Sequence, residues 1–121
     1  MGEGGNPSAR GFVEVTIASG ESLSAEAVIL GWSAVSIEQP AGCEGTKFSA
    51  QGSLDGNGDG FADIQDANAE WFLNKSATEA QLIIFDAPLQ GLAKIKIRSG
   101  KQATPTAQNA DVTLKIGLVK L

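Results

Sequence analysis

The chain ends in two segments whose apolar and polar residues alternate with a period of two. The first runs from Leu92 to Gly100 and the second from Asp111 to Leu121, and a polar connection rich in Thr, Ala, Gln and Pro joins them. Successive side chains of an extended strand point to opposite faces of a sheet, so this alternation predicts strands with one buried and one solvated face. Two such strands place the chain in a β class.

Further short strands are predicted along the rest of the chain, with turn residues between them. Ser19–Ser22 and Pro40–Gly45 are turn clusters, and Gly31 marks a bend or bulge. The residues expected to face the core share the alternating pattern: Val13, Val15, Ile17, Val35, Ile37, Phe48 and Ala50.

Two segments do not alternate. Gln81–Asp86 is a compact apolar run bounded by Pro88 and Gly91, which is typical of a strand covered on both faces. Asp66–Ala80 fits a short helix capped by Asp66, a strand or an irregular turn.

The segments together indicate about seven or eight short strands, the pattern of an antiparallel β-sandwich, either jelly-roll or immunoglobulin-like. At 121 residues and 42% apolar composition, the chain has the size of one domain with a real core. We expect this domain to span residues 12–121. Residues 1–11 are rich in Gly and polar side chains and are expected to form a flexible N-terminal arm.

The charge balance is acidic and limits the partners. Fourteen carboxylates face nine Lys and Arg, a net charge of −5, whereas nucleic-acid binding needs a clustered basic face. Lys94, Lys96, Arg98 and Lys101 are expected to lie on a solvated strand face. No apolar run approaches the roughly 20 residues of a membrane span, so no membrane partner is expected.

The residue types argue against catalysis. The chain has no histidine, and its one cysteine, Cys43, lies in a turn-like segment with no histidine to act as a base. A single cysteine excludes an intramolecular disulfide and favours synthesis in a reducing cytoplasm. The carboxylates are scattered along the chain rather than paired as in a glycosidase. We therefore expect an inert thiol and a protein that is not an enzyme.

One motif has a chemical interpretation, the acidic glycine-rich stretch at 55–66. Hard Ca²⁺ prefers six to eight oxygen ligands, and a twelve-residue loop supplies them from alternating positions around a glycine at the sixth. Gly60 occupies that sixth position. The candidate calcium ligands are the acidic and amide residues at positions one, three, five, nine and twelve: Asp55, Asn57, Asp59, Asp63 and Asp66. The predicted ion is structural, and no other cofactor is expected.

A hairpin connection explains the same stretch without a metal. Asp, Asn and Gly are the residues that turns with positive φ require, and Phe61–Ile64 would begin the returning strand. The entering and leaving helices that usually flank a twelve-residue calcium loop are also missing from the pattern. The sequence leaves both interpretations open.

The two tryptophans allow a binding role. Trp32 and Trp71 are expected in the core, as is usual for Trp in a small β domain, although exposed aromatic rings would stack on sugars. Of the two, Trp71 is the better candidate for a surface contact with another protein chain.

Several short sequence segments also follow one another in a recognisable order. The most specific is a strand, then Arg98, Ser99 and Gly100, a linker of Thr, Ala, Pro and Gln, and then Asp111 and another strand. Over residues 12–121 this order resembles a family of small structural proteins of tailed-phage virions. The segments are the strand leading to Pro40, Phe48, residues 52–56, residues 61–64, the apolar run through Phe85, residues 95–100, Pro105, Gln108, Asp111, Thr113 and Leu114. The stretch 55–60 is longer than the plain hairpin of that pattern, and 68–78 has no counterpart in it.

The resemblance implies a non-enzymatic virion component, a decoration or cement protein on the outer surface of the capsid. Its partners would be the major capsid protein and neighbouring copies of itself, for instance in a trimer over a local threefold axis. The N-terminal arm would order on a neighbouring subunit, and assembly would take place in the host cytoplasm. A phage tail or neck component and a carbohydrate-binding β-sandwich module are the alternatives.

Overall fold

Antiparallel strands form the regular structure of residues 10–55, 60–66 and 69–121, the parts of the chain that a computed structural model describes. These parts contain no helix, so the predicted antiparallel β-sandwich is confirmed, and the jelly-roll and immunoglobulin-like alternatives stay predictions. The strands are β1 (Arg10–Ile17), β2 (Ala27–Val28), β3 (Trp32–Gln39), β4 (Lys47–Ser53), β5 (Ala62–Asp63), β6 (Gln65–Asp66), β7 (Ala69–Glu70), β8 (Phe72–Asn74), β9 (Gln81–Leu89), β10 (Lys94–Lys101), β11 (Thr104–Pro105) and β12 (Val112–Lys120).

The strands make two main sheets. Sheet 1 has the order β1-β12-β3-β9, and sheet 2 has the order β11-β10-β4-β5, with β2 also paired to β10 and β8 to β4. Strands β6 and β7 form a separate two-stranded sheet. The chain passes from one sheet to the other between β1 and β2, β2 and β3, β3 and β4, β8 and β9, β9 and β10, and β11 and β12, so most pairings join residues far apart in sequence.

The core lies between the two sheets and is mostly branched aliphatic. Isoleucines dominate it because a β-branched side chain packs well on a pleated surface. The largest fully buried apolar side chains are Ile17, Ile29, Ile37, Phe48, Ile95, Ile97, Leu114 and Ile116. The inward faces that the alternation predicts for β1, β4, β10 and β12 are therefore confirmed, whereas the opposite faces are only partly solvated, because Ser49 on β4 and Arg98 on β10 are buried as well.

The first strand begins earlier than predicted. Arg10 already pairs with Val119 of β12, two residues before the expected start at Phe12. Residues 1–9, which hold most of the predicted N-terminal arm, lie outside the described residues.

A bulge in β3 changes which residues face the core. Gly117 pairs with Ser36 while the next residue, Leu118, pairs with Ala34, so Val35 is the extra residue. Ala34 and Ile37 are fully buried, whereas Val35 is only half-buried. The inward prediction was right for Ile37 and wrong for Val35, because an inserted residue shifts the alternation by one. Gly31 occupies the turn before β3 with φ +85°, which confirms the predicted bend.

The prediction that Gln81–Asp86 is covered on both faces was wrong. This run is part of β9, an edge strand of sheet 1, and Leu82 and Ile84 are 63% and 69% exposed. Phe85 points the other way and is buried. The apolar composition is real, but the described chain covers only one face of the strand.

The described residues of the ambiguous segment, 66 and 69–80, contain strands and no helix. They include the last residue of β6 and the short strands β7 and β8. Trp71, between β7 and β8, is 6% exposed, and its ring meets Phe85 edge-on at a centroid distance of 5.2 Å. The expectation of a core tryptophan is confirmed for Trp71, and its proposed role as a surface contact was wrong.

The polar connection between β10 and β12 has a defined conformation that its own residues stabilise. Gly100 has φ +89°, and a Cβ there would lie 2.5 Å from the carbonyl oxygen of Thr104, so only glycine fits this turn into β11. Gln108 is buried, accepting a hydrogen bond from the Glu44 amide at 2.8 Å and donating one to the Glu44 carbonyl at 3.1 Å. Asp111 accepts a hydrogen bond from the Ser19 amide at 2.8 Å. Gly100, Gln108 and Asp111, which belong to the segment with the most specific family resemblance, therefore each have a structural role in this fold.

Candidate interaction surfaces

Arg98 is the centre of the main charged cluster of sheet 2. It is 7% exposed, and its guanidinium makes ion pairs with Asp63 and, at 3.4 Å, with Glu70. The same guanidinium donates to the Ser49 hydroxyl at 3.1 Å, and Glu70 also accepts a hydrogen bond from the Gln102 amide at 2.8 Å. One buried cation thus holds the β5–β7 region against β4 and β10.

Sequence reasoning missed this cluster and expected Arg98 on a solvated face. Arg98 does lie on the outward face of β10, in line with Lys94 and Lys96, but side chains from across β4 cover it. Asp63 pairs with Gln51 on β4, next to β10, which brings its carboxylate within reach. The alternation of β10 alone does not indicate that carboxylate side chains cover Arg98.

The lysines near Arg98 remain partly accessible and lie over aromatic rings. The ammonium of Lys96 is 4.3 Å from the Phe61 ring centroid, and that of Lys101 is 4.4 Å from the Phe72 centroid. Lys94 pairs with Glu26 at 2.9 Å. The basic residues of β10 are therefore neutralised or packed locally rather than gathered into a patch for an anionic partner.

The five candidate calcium ligands receive different placements. Asp63 is engaged by Arg98, Asp66 lies exposed on β6, and Asp55 follows β4. Asn57 and Asp59 lie outside the described residues. Among the residues that are described, no group of three or more His, Cys, Asp or Glu side chains is arranged to hold a metal. The calcium site therefore stays a prediction, and an ion there would compete with Arg98 for Asp63.

The returning strand that the hairpin interpretation predicts is confirmed, while residues 56–59 of the connection lie outside the described residues. β4 and β5 pair antiparallel, with Gly52 opposite Ala62 and Gln51 opposite Asp63. A calorimetric titration, with Asp59→Ala as the comparison, decides whether an ion is bound in addition. One saturable site that this substitution abolishes is expected for a calcium loop, and a flat wild-type titration would remove the idea.

Cys43 and Lys75 form a buried pair at the base of the β3–β4 connection. The Lys75 ammonium donates hydrogen bonds to the Cys43 carbonyl at 3.1 Å and the Ser76 carbonyl at 3.0 Å, and lies 5.2 Å from the Phe48 ring centroid. Burial lowers the pKa of Lys75 and raises the pKa of the Cys43 thiol. A nucleophilic cysteine needs access and a depressed pKa, and Cys43 has neither, since it is fully buried. This geometry indicates a structural role, in which Lys75 joins the segment after β8 to the β3–β4 connection.

The outer face of sheet 1 carries exposed apolar side chains on its two edge strands, β1 and β9. Phe12 on β1 and Leu82 and Ile84 on β9 are 59%, 63% and 69% exposed. Between them lie the small residues Gly117 and Ser36, which leave a shallow depression. Scattered exposed apolar residues are ordinary, whereas a group on one flat face makes that face a candidate interaction surface.

A second apolar group lies at one end of the sandwich and is called the end patch here. Val28 pairs with Lys94, which pairs with Ser53 just before Leu54, and the amide of Leu121 donates to the Gly31 carbonyl at 3.1 Å next to Leu30. These links bring four exposed residues to the same end: Val28, Leu30, Leu54 and Leu121, at 63%, 69%, 81% and 65% exposure.

The aromatic residues give little support to a sugar-binding platform. Trp71 is buried, and the half-buried Trp32 has the Lys120 ammonium 4.9 Å from its ring centroid. Phe12 is similarly approached by Lys115 at 5.5 Å. A sugar ring would have to displace these cations to stack.

Within the part of the chain that the structure describes, no helix has the length and apolar character to cross a membrane. Comparisons of the chain with protein-family models, with curated proteins and with solved structures found no match.

Proposed function

We propose that this chain is a non-enzymatic structural protein of a phage virion that decorates and stabilises the outer surface of the mature capsid. The proposal combines the resemblance of residues 12–121 to tailed-phage head proteins with surfaces suited to protein contacts. Its partners are the major capsid protein and neighbouring copies of the chain, and it assembles in the host cytoplasm.

The observation that carries the proposal is the end patch. Four large aliphatic side chains, each at least 63% exposed, belong to residues at one end of a small sandwich. Exposing such side chains to water is unfavourable by about 25 cal/mol per Å² of apolar surface, and covering them with another protein recovers that free energy. We propose that the end patch faces the shell.

Repetition makes a small contact sufficient. A decoration protein binds the same lattice position many times, and copies that also touch each other gain effective concentration from simultaneous engagement. The net charge of −5 suits the outer surface of a capsid better than its DNA-filled interior.

Co-sedimentation with emptied mature capsids tests the proposal, with purified tails as the comparison particle. We expect saturable binding to capsids at a stoichiometry commensurate with the lattice, and weaker binding of Leu30→Glu. Ala103→Glu is the matched control, because it adds the same charge in the exposed turn after β10, at the opposite end of that strand from Lys94. Binding to tails alone would support the tail or neck alternative, and binding to neither particle would overturn a virion role.

A further inference from the structure

We propose that the outer face of sheet 1 binds the same face of a second copy of this chain in a two-fold symmetric, face-to-face dimer. The inference stands on the pattern of that face and does not depend on capsid decoration. It assigns the partner of the exposed side chains of β9 and names the residues that meet.

The outward side chains of sheet 1 fall into rows that cross all four strands. In the first row Phe12 lies opposite Gly117, Gly117 opposite Ser36, and Ser36 opposite Ile84. This apolar row therefore has large side chains at both sheet edges and small ones at its centre.

The second row is charged. Glu14 lies opposite Lys115, Lys115 opposite Glu38, and Glu38 opposite Leu82. All four side chains are exposed. The two central strands thus carry one cation and one anion side by side.

A two-fold axis parallel to the strands makes this face complementary to itself. That axis keeps each row at its own height and exchanges the two edges, so β1 faces β9 of the other copy and β12 faces β3. Phe12 then meets the partner's Ile84, and Lys115 meets the partner's Glu38, in each case twice by symmetry. Glu14 faces the partner's Leu82 at the rim, where its carboxylate stays in water.

The other in-plane axis, perpendicular to the strands, gives a poor match. If this axis lies between the two rows, each strand faces the same strand of the other copy, and the apolar row faces the charged row. Phe12 would then face the partner's Glu14, and Lys115 would face the partner's Gly117. Charge complementarity therefore selects the strand-parallel axis and a second copy as the occupant.

The composition of β9 supports a second copy of the chain as the partner of this face. Its run Gln81–Asp86 has the apolar character of a strand covered on both faces, yet the described chain leaves Leu82 and Ile84 uncovered. Aligned packing of two sheets about 10 Å apart supplies the missing layer.

The association is expected to be weak in free solution. A face four strands wide, with strands about 4.8 Å apart, covers less than the roughly 800 Å² per partner of a typical stable complex. We expect dissociation constants in the micromolar range or weaker, so the dimer forms at high protein concentration.

Sedimentation velocity over a concentration series tests the face. Wild-type protein is expected to shift from monomer to dimer, and Ile84→Glu to weaken the dimer by about tenfold or more, because it sets a carboxylate against the partner's Phe12. Leu30→Glu is the matched control, since Leu30 and Ile84 are both 69% exposed but lie on different surfaces. A wild-type chain that stays monomeric up to about 1 mM, or equal weakening by both substitutions, would overturn the proposal.

A charge exchange tests the symmetry. Lys115→Glu is expected to weaken the dimer, and the double variant Lys115→Glu with Glu38→Lys to restore it, because the exchanged charges meet again across the axis. Thermal unfolding at low concentration, where the chain is monomeric, shows whether each variant is folded. A double variant that dimerises no better than the single one would exclude this axis. Loss of dimerisation with intact capsid binding by the Ile84 variant separates this inference from the proposed function, as does the reverse result.

Discussion

At the scale of single residues, Arg98 shows how a charge becomes structural. Its guanidinium is 7% exposed and is shared by two carboxylates, so it combines desolvation with two ion pairs. The pair between Lys94 and Glu26 lies on the same strand, but the Glu26 side chain is 40% exposed. Water therefore screens the Lys94–Glu26 pair more strongly than the pairs of Arg98.

Replacing Arg98 with Met tests this difference. We expect Arg98→Met to lower the free energy of unfolding by about 2–4 kcal/mol, because Asp63 and Glu70 keep partly buried charges without their partner. Lys94→Met is the matched control and should cost less than about 1 kcal/mol. Chemical denaturation measures both, and equal losses would show that burial does not distinguish the two pairs.

Cys43 gives the fold a pH dependence at the alkaline end. Burial raises the pKa of its thiol above the ordinary 9.0, so the unfolded chain releases the proton first and the folded state loses stability as the pH rises above 9.0. Lys75 acts in the opposite direction, because burial lowers its pKa from 10.5 and the unfolded chain then binds more protons.

Comparison with Cys43→Ala isolates the contribution of the thiol. The difference in unfolding free energy between wild type and this variant is expected to be constant near neutral pH and to shrink from about pH 9 upward. Denaturation series at several pH values measure it. A difference that is unchanged at about pH 10 would mean that the folded thiol ionises as easily as the unfolded one.

At the scale of elements, the turn between β10 and β11 depends on one glycine. Gly100 and Gly91 both have positive φ, +89° and +80°, so both accept a side chain only with strain. They differ in space, because a Cβ at Gly100 would meet the Thr104 carbonyl oxygen at 2.5 Å whereas one at Gly91 meets nothing within 4 Å.

The two glycines therefore form a matched pair of substitutions. Gly91→Ala should cost about 1–2 kcal/mol from the left-handed backbone alone. Gly100→Ala should cost clearly more, because backbone atoms must move to relieve the overlap and the β11 pairing is disturbed. Thermal and chemical unfolding measure the costs, and a smaller effect at Gly100 than at Gly91 would contradict the described turn.

At the scale of the whole molecule, the sandwich presents two apolar surfaces on different sides. The end patch lies at one end of sheet 2, beside Leu121. The row from Phe12 to Ile84 crosses the outer face of sheet 1. A decoration protein needs one contact to its support, and a second contact to a neighbouring copy adds effective concentration. The proposed capsid contact and the proposed dimer assign one surface to each.

The sequence by itself determined the strand class and the inward faces of β1, β4, β10 and β12, whereas it left a hairpin and a calcium loop as alternatives for residues 55–66. Alternation and turn chemistry are local properties, and a period of two survives wherever no residue is inserted. The bulge at Val35 marks the limit, because it depends on how β12 pairs with β3 through Gly117 and Leu118.

Only the tertiary structure decided what lies beside each strand. It buried Arg98 beneath carboxylates from across β4, placed Trp71 against Phe85, and left Leu82 and Ile84 uncovered at a sheet edge. Neighbours in this fold come from distant parts of the chain, since β1 pairs with β12 and the chain alternates between sheets. Local pattern encodes which side chains prefer burial, whereas the long-range pairing determines which of them obtain it.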